Sequence, residues 1–196
     1  MPIVDPDHRP RQGDFWCEQS PDSVFFSLYP DRQITRCLSR LVWQLRGKHR
    51  LDGMPRPERS FHVSLCGVGA YAELPCNLAA AINQAASTVA MLPFRVSFDR
   101  VTSFGCRRNR ALVLVGGEGV VGVQMLQREL AAALNKIAFL RRKAPPFNPH
   151  LTLLYYDGEI VEQAVEEIQW TVREFVLVRS LHGQSRHVSL KRWSLK

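Results

Sequence analysis

Two short stretches of this chain pair an imidazole with a hydroxyl two residues later: Phe61-His62-Val63-Ser64-Leu65 and Asn148-Pro149-His150-Leu151-Thr152-Leu153. On a β-strand, side chains at i and i+2 leave the same face, so each stretch presents a proton carrier beside a hydrogen-bond donor. Two such strands facing one another would line a cleft with two imidazoles and two hydroxyls. That set suits a phosphate ester. One imidazole takes a proton from water, the other returns one to the leaving oxygen, and the hydroxyls bind phosphoryl oxygens. A single His-x-Ser is a weak signal because serine and threonine are common. Two copies, each followed by leucine, carry weight. A third, Arg186-His187-Val188-Ser189-Leu190, matches the first motif residue for residue from His187 onward.

At these residues the chain resembles the 2H phosphoesterase superfamily, and within it the bacterial RNA 2′,3′-cyclic phosphodiesterases, also called 2′-5′ RNA ligases. The resemblance runs from about Val24 to Leu195. It rests on the two His-x-Ser/Thr-Leu copies, the Phe25-Phe26 strand ending at Pro30, Pro149 before the second histidine, and the stretch from Trp170 to Trp193.

The resemblance implies an α+β fold of two pseudo-symmetric lobes, with mainly antiparallel sheets flanking a central cleft. It implies His150 as proton acceptor, His62 as proton donor, and Ser64 and Thr152 as donors to the substrate. The implied reaction is hydrolysis of an RNA or nucleotide 2′,3′-cyclic phosphate to a 2′-phosphate, reversible as 2′-5′ ligation, with no metal and no cofactor. Two departures matter. Many relatives carry arginine five residues after the second histidine, where this chain has Tyr155. His187 stands where the family usually places an aromatic residue, which suggests a groove-wall residue able to stack on a base or ribose. Two alternatives stay open. One is a related phosphodiesterase acting on oligonucleotide 3′ ends, 2′-5′ oligoadenylate or a cyclic phosphate of ADP-ribose; the other is an RNA-binding module without turnover.

Bulk properties point the same way. The 196 residues, 45% of them hydrophobic, can bury one ordinary core, and the expectation is a single bilobal domain over residues 22–196 after a polar tail, 1–21. A net charge of +8 and a pI near 9.7 call for an anionic partner. Basic residues recur at Arg46 to Arg50, Arg56 to Arg59, Arg107 to Arg110, Arg141 to Lys143 and Arg186 to Arg192. No one amphipathic helix collects them, which favours nucleic acid over a membrane surface. Arg110 is a candidate substrate contact, with a solvated turn as its simpler reading. Five cysteines without a Cys-x-x-Cys pair suggest neither a disulfide framework nor a zinc module, hence a reducing cytoplasm. Cys66, four residues after His62, reads as a small buried apolar residue. The first twenty residues lack the apolar core of a signal peptide, and no obligate protein partner is implied.

These motifs need strands to carry them, and the chain supplies a repeated order. Ser23–Tyr29 reads as a buried strand. Asp31 caps a helix with apolar positions Ile34, Cys37, Leu38, Leu41 and Leu45, ending near Gly47. The His62 strand follows, then a helix from Leu74-Pro75 to Pro93, then a strand at Phe94, Val96 and Phe98. This β-α-β-α-β unit, about residues 22–104, is expected again over about 110–180. The second copy has a strand at Ala111–Val115, a helix with Val123, Leu126, Leu130, Ala133, Leu134 and Ile137, and the His150 strand. A short acidic helix at Glu159–Ile168 and a strand at Val172–Val178 complete it. A last strand, 186–195, has no counterpart in the first half.

Overall fold

The structure is a computed structural model that describes residues 22–105, 109–137 and 146–196. The N-terminal tail, Arg107 and Arg108 of the basic turn, and the Arg141 to Lys143 cluster lie outside the described residues.

The fold is α+β, and the described residues form eight strands in one antiparallel sheet and three α-helices. The elements are β1 (Asp22–Leu28), α1 (Arg32–His49), β2 (Val63–Tyr71), α2 (Cys76–Ser87), β3 (Phe94–Phe104), β4 (Arg110–Val115), α3 (Val121–Leu134), β5 (His150–Tyr156), β6 (Gln163–Val172), β7 (Glu174–Leu181) and β8 (Arg186–Ser194). Asp31 caps α1 as the sequence suggests, its carboxylate accepting from the Ile34 N–H at 2.9 Å. The helix runs two residues past Gly47. It closes at Arg50, which takes the left-handed conformation (φ 51°) that glycine usually fills, and Arg46, Lys48 and His49 suit the negative end of the helix dipole.

The strand order is β6-β3-β4-β5-β2-β1-β7-β8. A pseudo-two-fold axis between β5 and β2 exchanges β5 with β2, β4 with β1, β3 with β7 and β6 with β8. Each half of the sheet therefore draws on both sequence repeats, because β3 pairs with β4 while β7 returns to pair with β1. Between β5 and β2 the pairing narrows to one position, Val63 against Leu151, both fully buried. The core lies beneath this seam and along both halves, filled by Phe26, Phe98, Phe175, Leu112, Leu114, Leu126, Leu130 and Leu151. Helix α1 packs against β5 and β6, and α3 against β2 and β3.

One expected element is overturned. Glu159–Ile168 is not a helix; β6 begins at Gln163 and pairs with β3 from Gln163↔Val101 to Val172↔Phe94. Ile168, Trp170 and Val172 alternate into the core, and Trp170 stacks on Phe98 at 5.6 Å. Burying that apolar row on β3 outweighs the weak helical preference of an acidic stretch. The second repeat thus lacks the counterpart of α2, and β8 finds its equivalent in β6.

Candidate active site

The seam between β2 and β5 brings the two motifs together. Val63 and Leu151 point into the core, so their neighbours His62, Ser64, His150 and Thr152 leave by the opposite face. Carrying the antiparallel register one residue each way sets His62 opposite Thr152 and Ser64 opposite His150. Each imidazole thus faces the hydroxyl of the other copy.

The leucine that ends each motif has a structural job. In β2 the pairing with β1 steps from Ser27↔Ser64 to Phe26↔Cys66, leaving Leu65 as the extra residue of a bulge. In β5 the pairing with β4 steps from Val113↔Thr152 to Leu112↔Leu154, leaving Leu153. The same step recurs in β8 at Leu190, between Ser189↔Val178 and Lys191↔Leu177. A bulge shifts the alternation by one, so the fifth residue after each histidine regains the histidine's face. Those residues are Gly67, Tyr155 and Arg192.

Both imidazoles are oriented alike. His62 Nδ1 lies 2.7 Å from the Ser60 carbonyl oxygen and His150 Nδ1 lies 2.8 Å from that of Asn148. A carbonyl only accepts, so Nδ1–H donates in both, and in the neutral ring Nε2 carries the lone pair. His62 Nε2 meets the Ser64 hydroxyl at 3.1 Å. These are two proton carriers with fixed tautomers on one face.

Their surroundings differ. His62 sits among Phe25 at 5.4 Å, Tyr29 at 6.1 Å and His187 at 4.7 Å, the last edge-on. Phe25 pairs across the sheet with Gly67, where an added Cβ would meet nothing within 4 Å. His150 has Phe104 edge-on at 5.0 Å. Burial pushes His62 down from 6.5 to about 4; the Ser60 carbonyl opposes this, and the positive fields of His187, Arg56 and His150 add to it. Burial and then Arg56 also lower His187. Tyr29 Oη and His187 Nδ1 share a hydrogen bond of 2.8 Å.

The structure brings together His62, Ser64, His150, Thr152 and His187, and places Tyr155 on the same strand face. It does not bring Arg110 there. Arg110 pairs in register with Tyr156, six residues from His150, roughly 20 Å along the strand. Its guanidinium is held by Glu159 at 2.7 Å. Arg56 is the residue that reading by pattern left inside a basic cluster. Its N–H donates to the Leu153 carbonyl at 2.8 Å, and Pro55 bridges to Leu154, so the segment lies along β5 beside the seam. Its guanidinium stacks over Tyr155 at 5.7 Å, and its buried Nε has no hydrogen-bond partner among the described residues. Nothing in the spacing of Arg56 marks it; the Pro-Arg-Pro run around it is the only hint. Phe25 and Tyr29 were likewise legible only as strand residues, and Phe104 lies beyond the strand read at Phe94, Val96 and Phe98. Among the described residues no group of three or more metal-ligating side chains gathers, and no helix is long and apolar enough to cross a membrane.

The model of the 2′-5′ RNA ligase superfamily matches residues 32–184. The chain belongs to that superfamily. Its 2H phosphoesterase fold also matches solved structures. Escherichia coli LigT complexed with 3′-AMP is 22% identical at a TM-score of 0.72, over 90% of this chain and 99% of LigT. A Thermus thermophilus protein is 21% identical at a TM-score of 0.70, over 88% and 97%. A further structure described as a phosphoesterase is 20% identical at a TM-score of 0.70, over 90% and 99%. A search of curated protein sequences found no match. In this chain the pairing of the motifs across one seam joins the two repeats at the residues able to do chemistry.

Proposed function

We propose that this chain is an RNA 2′,3′-cyclic phosphodiesterase that uses His150 as base and His62 as acid. The observation carrying this reading is the pair of Nδ1-anchored imidazoles on either side of the Val63–Leu151 contact, each with a hydroxyl. Water attacks phosphorus in line with the P–O3′ bond and gives its proton to His150 Nε2. The P–O3′ bond breaks, O3′ takes the proton of His62 Nε2, and a 2′-phosphate is left. One imidazole gains a proton and the other loses one, so exchange with solvent resets the site. Each transfer contributes roughly 10²- to 10⁴-fold. Ser64 and Thr152 donate to the non-bridging oxygens as charge grows there, and Arg56 supplies a fixed positive charge beside them. His62 holds its proton weakly in the free protein, so the bound phosphate anion must raise its affinity before it can act as the acid. With an RNA 5′-hydroxyl in place of water the same groups catalyse 2′-5′ ligation: His150 takes the 5′-hydroxyl proton, the P–O3′ bond breaks and His62 protonates O3′.

The superfamily membership and the 3′-AMP bound by LigT support a nucleotide or RNA end as substrate. The test is turnover of a 2′,3′-cyclic nucleotide by purified protein in EDTA. The expected product is the 2′-monophosphate, lost with His62→Ala and with His150→Ala. Activity that survives both substitutions, or that disappears with the chelator, overturns the reading.

A further inference from the structure

The pseudo-two-fold axis makes β6 and β8 equivalent outer strands, yet their charges are opposite. Between Gln163 and Val172, β6 carries Glu166 and Glu167 and no basic residue. Between Arg186 and Ser194, β8 carries Arg186, Lys191 and Arg192 and no acidic residue. The duplication explains the backbone but not this difference. Of the two outer strands, β8 itself attracts a polyanion leaving the seam and β6 itself does not.

Strand β8 also has the right face turned to the seam. It is the third bulged copy of the motif, and the bulge at Leu190 puts His187, Ser189 and Arg192 on one side. That side is a wall of an open groove of about 710 Å³, with Tyr29, Arg59 and Arg173 on its other walls. The volume falls in the range of roughly 300–1,000 Å³ typical of ligand sites. His187 belongs to both places, since its ring meets His62 edge-on at 4.7 Å and also lines the groove. The groove is therefore continuous with the paired imidazoles.

Two carboxylates share the groove. Asp31 is occupied in capping α1, and Glu174 pairs with Arg192. That ion pair is largely exposed and so weakly held, which leaves Arg192 free to turn to a phosphate. Arg59 and Arg173 are exposed and form no ion pair among the described residues.

We infer that the β8 groove holds the phosphodiester backbone of the RNA strand that precedes the terminal cyclic phosphate. This rests on the proposed reaction and adds to it a subsite for the strand upstream of the reacting end. Arg59, Arg173 and Arg192 contact successive phosphates, while Tyr29 and His187 offer rings to the last nucleoside.

The test is binding of a fluorescent six-nucleotide RNA ending in 3′-phosphate, read by anisotropy across a salt series. Arg59→Ala with Arg192→Ala is expected to weaken binding fivefold or more and to flatten the dependence of log K on log salt by about 1.4, roughly 0.7 for each phosphate no longer neutralised. Arg59→Glu alone, at an exposed site, gives a loss of the same sign and serves if the double variant melts early. Glu166→Gln with Glu167→Gln is expected to leave binding within twofold. Wild-type affinity and salt slope in the arginine variants would overturn the inference, as would an equal effect from the β6 pair. Turnover separates this from the reaction itself. Groove-dependent binding without hydrolysis removes the phosphodiesterase reading alone. Hydrolysis with the same kcat/KM for a cyclic mononucleotide and a cyclic-phosphate oligonucleotide removes the groove alone.

Discussion

Strands β2 and β5 carry one backbone device twice, and the two copies are not chemically alike. Each has an imidazole anchored through Nδ1 to the carbonyl two residues back, a hydroxyl two residues on, and a leucine at a bulge. Duplication therefore reproduces tautomer and direction. What it does not reproduce is the company of each ring. Phe25, Tyr29 and His187 crowd His62, whereas among the described residues His150 has the ring of Phe104. His187 comes from β8, which reaches the site because β7 pairs with β1. The strand outside the sequence repeat thus gives the first histidine surroundings of its own.

The most severe way to break this comparison is to remove either imidazole. His62→Ala and His150→Ala should each lower kcat/KM on a cyclic phosphate by about 10²- to 10⁴-fold, and the double variant should lose little more than the worse single one, because the two act on one phosphorus. A large loss from one substitution and none from the other would mean that the copies do not share a reaction. Steady-state kinetics on the three proteins decides it.

Next come the bulged leucines, where the three copies should separate. Leu153 is fully buried and Leu65 nearly so, while Leu190 is 42% exposed. Leu153→Ala and Leu65→Ala should cost about 2–5 kcal/mol in chemical denaturation, and Leu190→Ala less than about 0.5 kcal/mol. Equal penalties would show that the bulge itself, rather than its seat in the core, carries the stability.

Much of this arrangement was legible before any coordinates. The i, i+2 spacing of His62 with Ser64 and of His150 with Thr152 needs only a strand, and strands are visible from local pattern. The seam is not local. Which strands become neighbours depends on β3 and β7 each crossing to the other repeat, and no spacing within 150–156 or 62–71 encodes that. Strand β6 misled because Glu162, Glu166 and Glu167 resemble a solvated helical face, while the alternation that decides the matter begins only at Ile168. Arg56 stayed hidden because it reaches the site from a loop laid along β5, and loops carry no period.

Smaller effects sharpen the difference between the hydroxyls. Ser64→Ala and Thr152→Ala should each reduce kcat by about 10- to 100-fold with KM changed less, as expected for donors that tighten on the developing oxyanion. Ser64 also meets His62 Nε2 at 3.1 Å, so its loss alone should shift the limb of the pH profile that His62 sets. Matching pH profiles for the two variants would erase that distinction.

The smallest effect bears on the company His62 keeps. Its ring should titrate near 4 by NMR in the free protein, against an ordinary 6.5. Replacing His187 with phenylalanine keeps an aromatic edge against His62 but deletes a positive neighbour, so the midpoint must rise; burial remains the larger cause, and the rise should stay below about one unit. Stability follows the same sign. A histidine that binds its proton less readily folded than unfolded supports the fold fully above pH 6.5, and that support is lost as the pH falls toward 4, by at most about 3 kcal/mol. In His187→Phe the window closes at its acid end, so less stability should be lost between pH 6.5 and 4 than in the unaltered protein. A midpoint that falls or stays fixed would mean that His187 shapes His62 only by filling space.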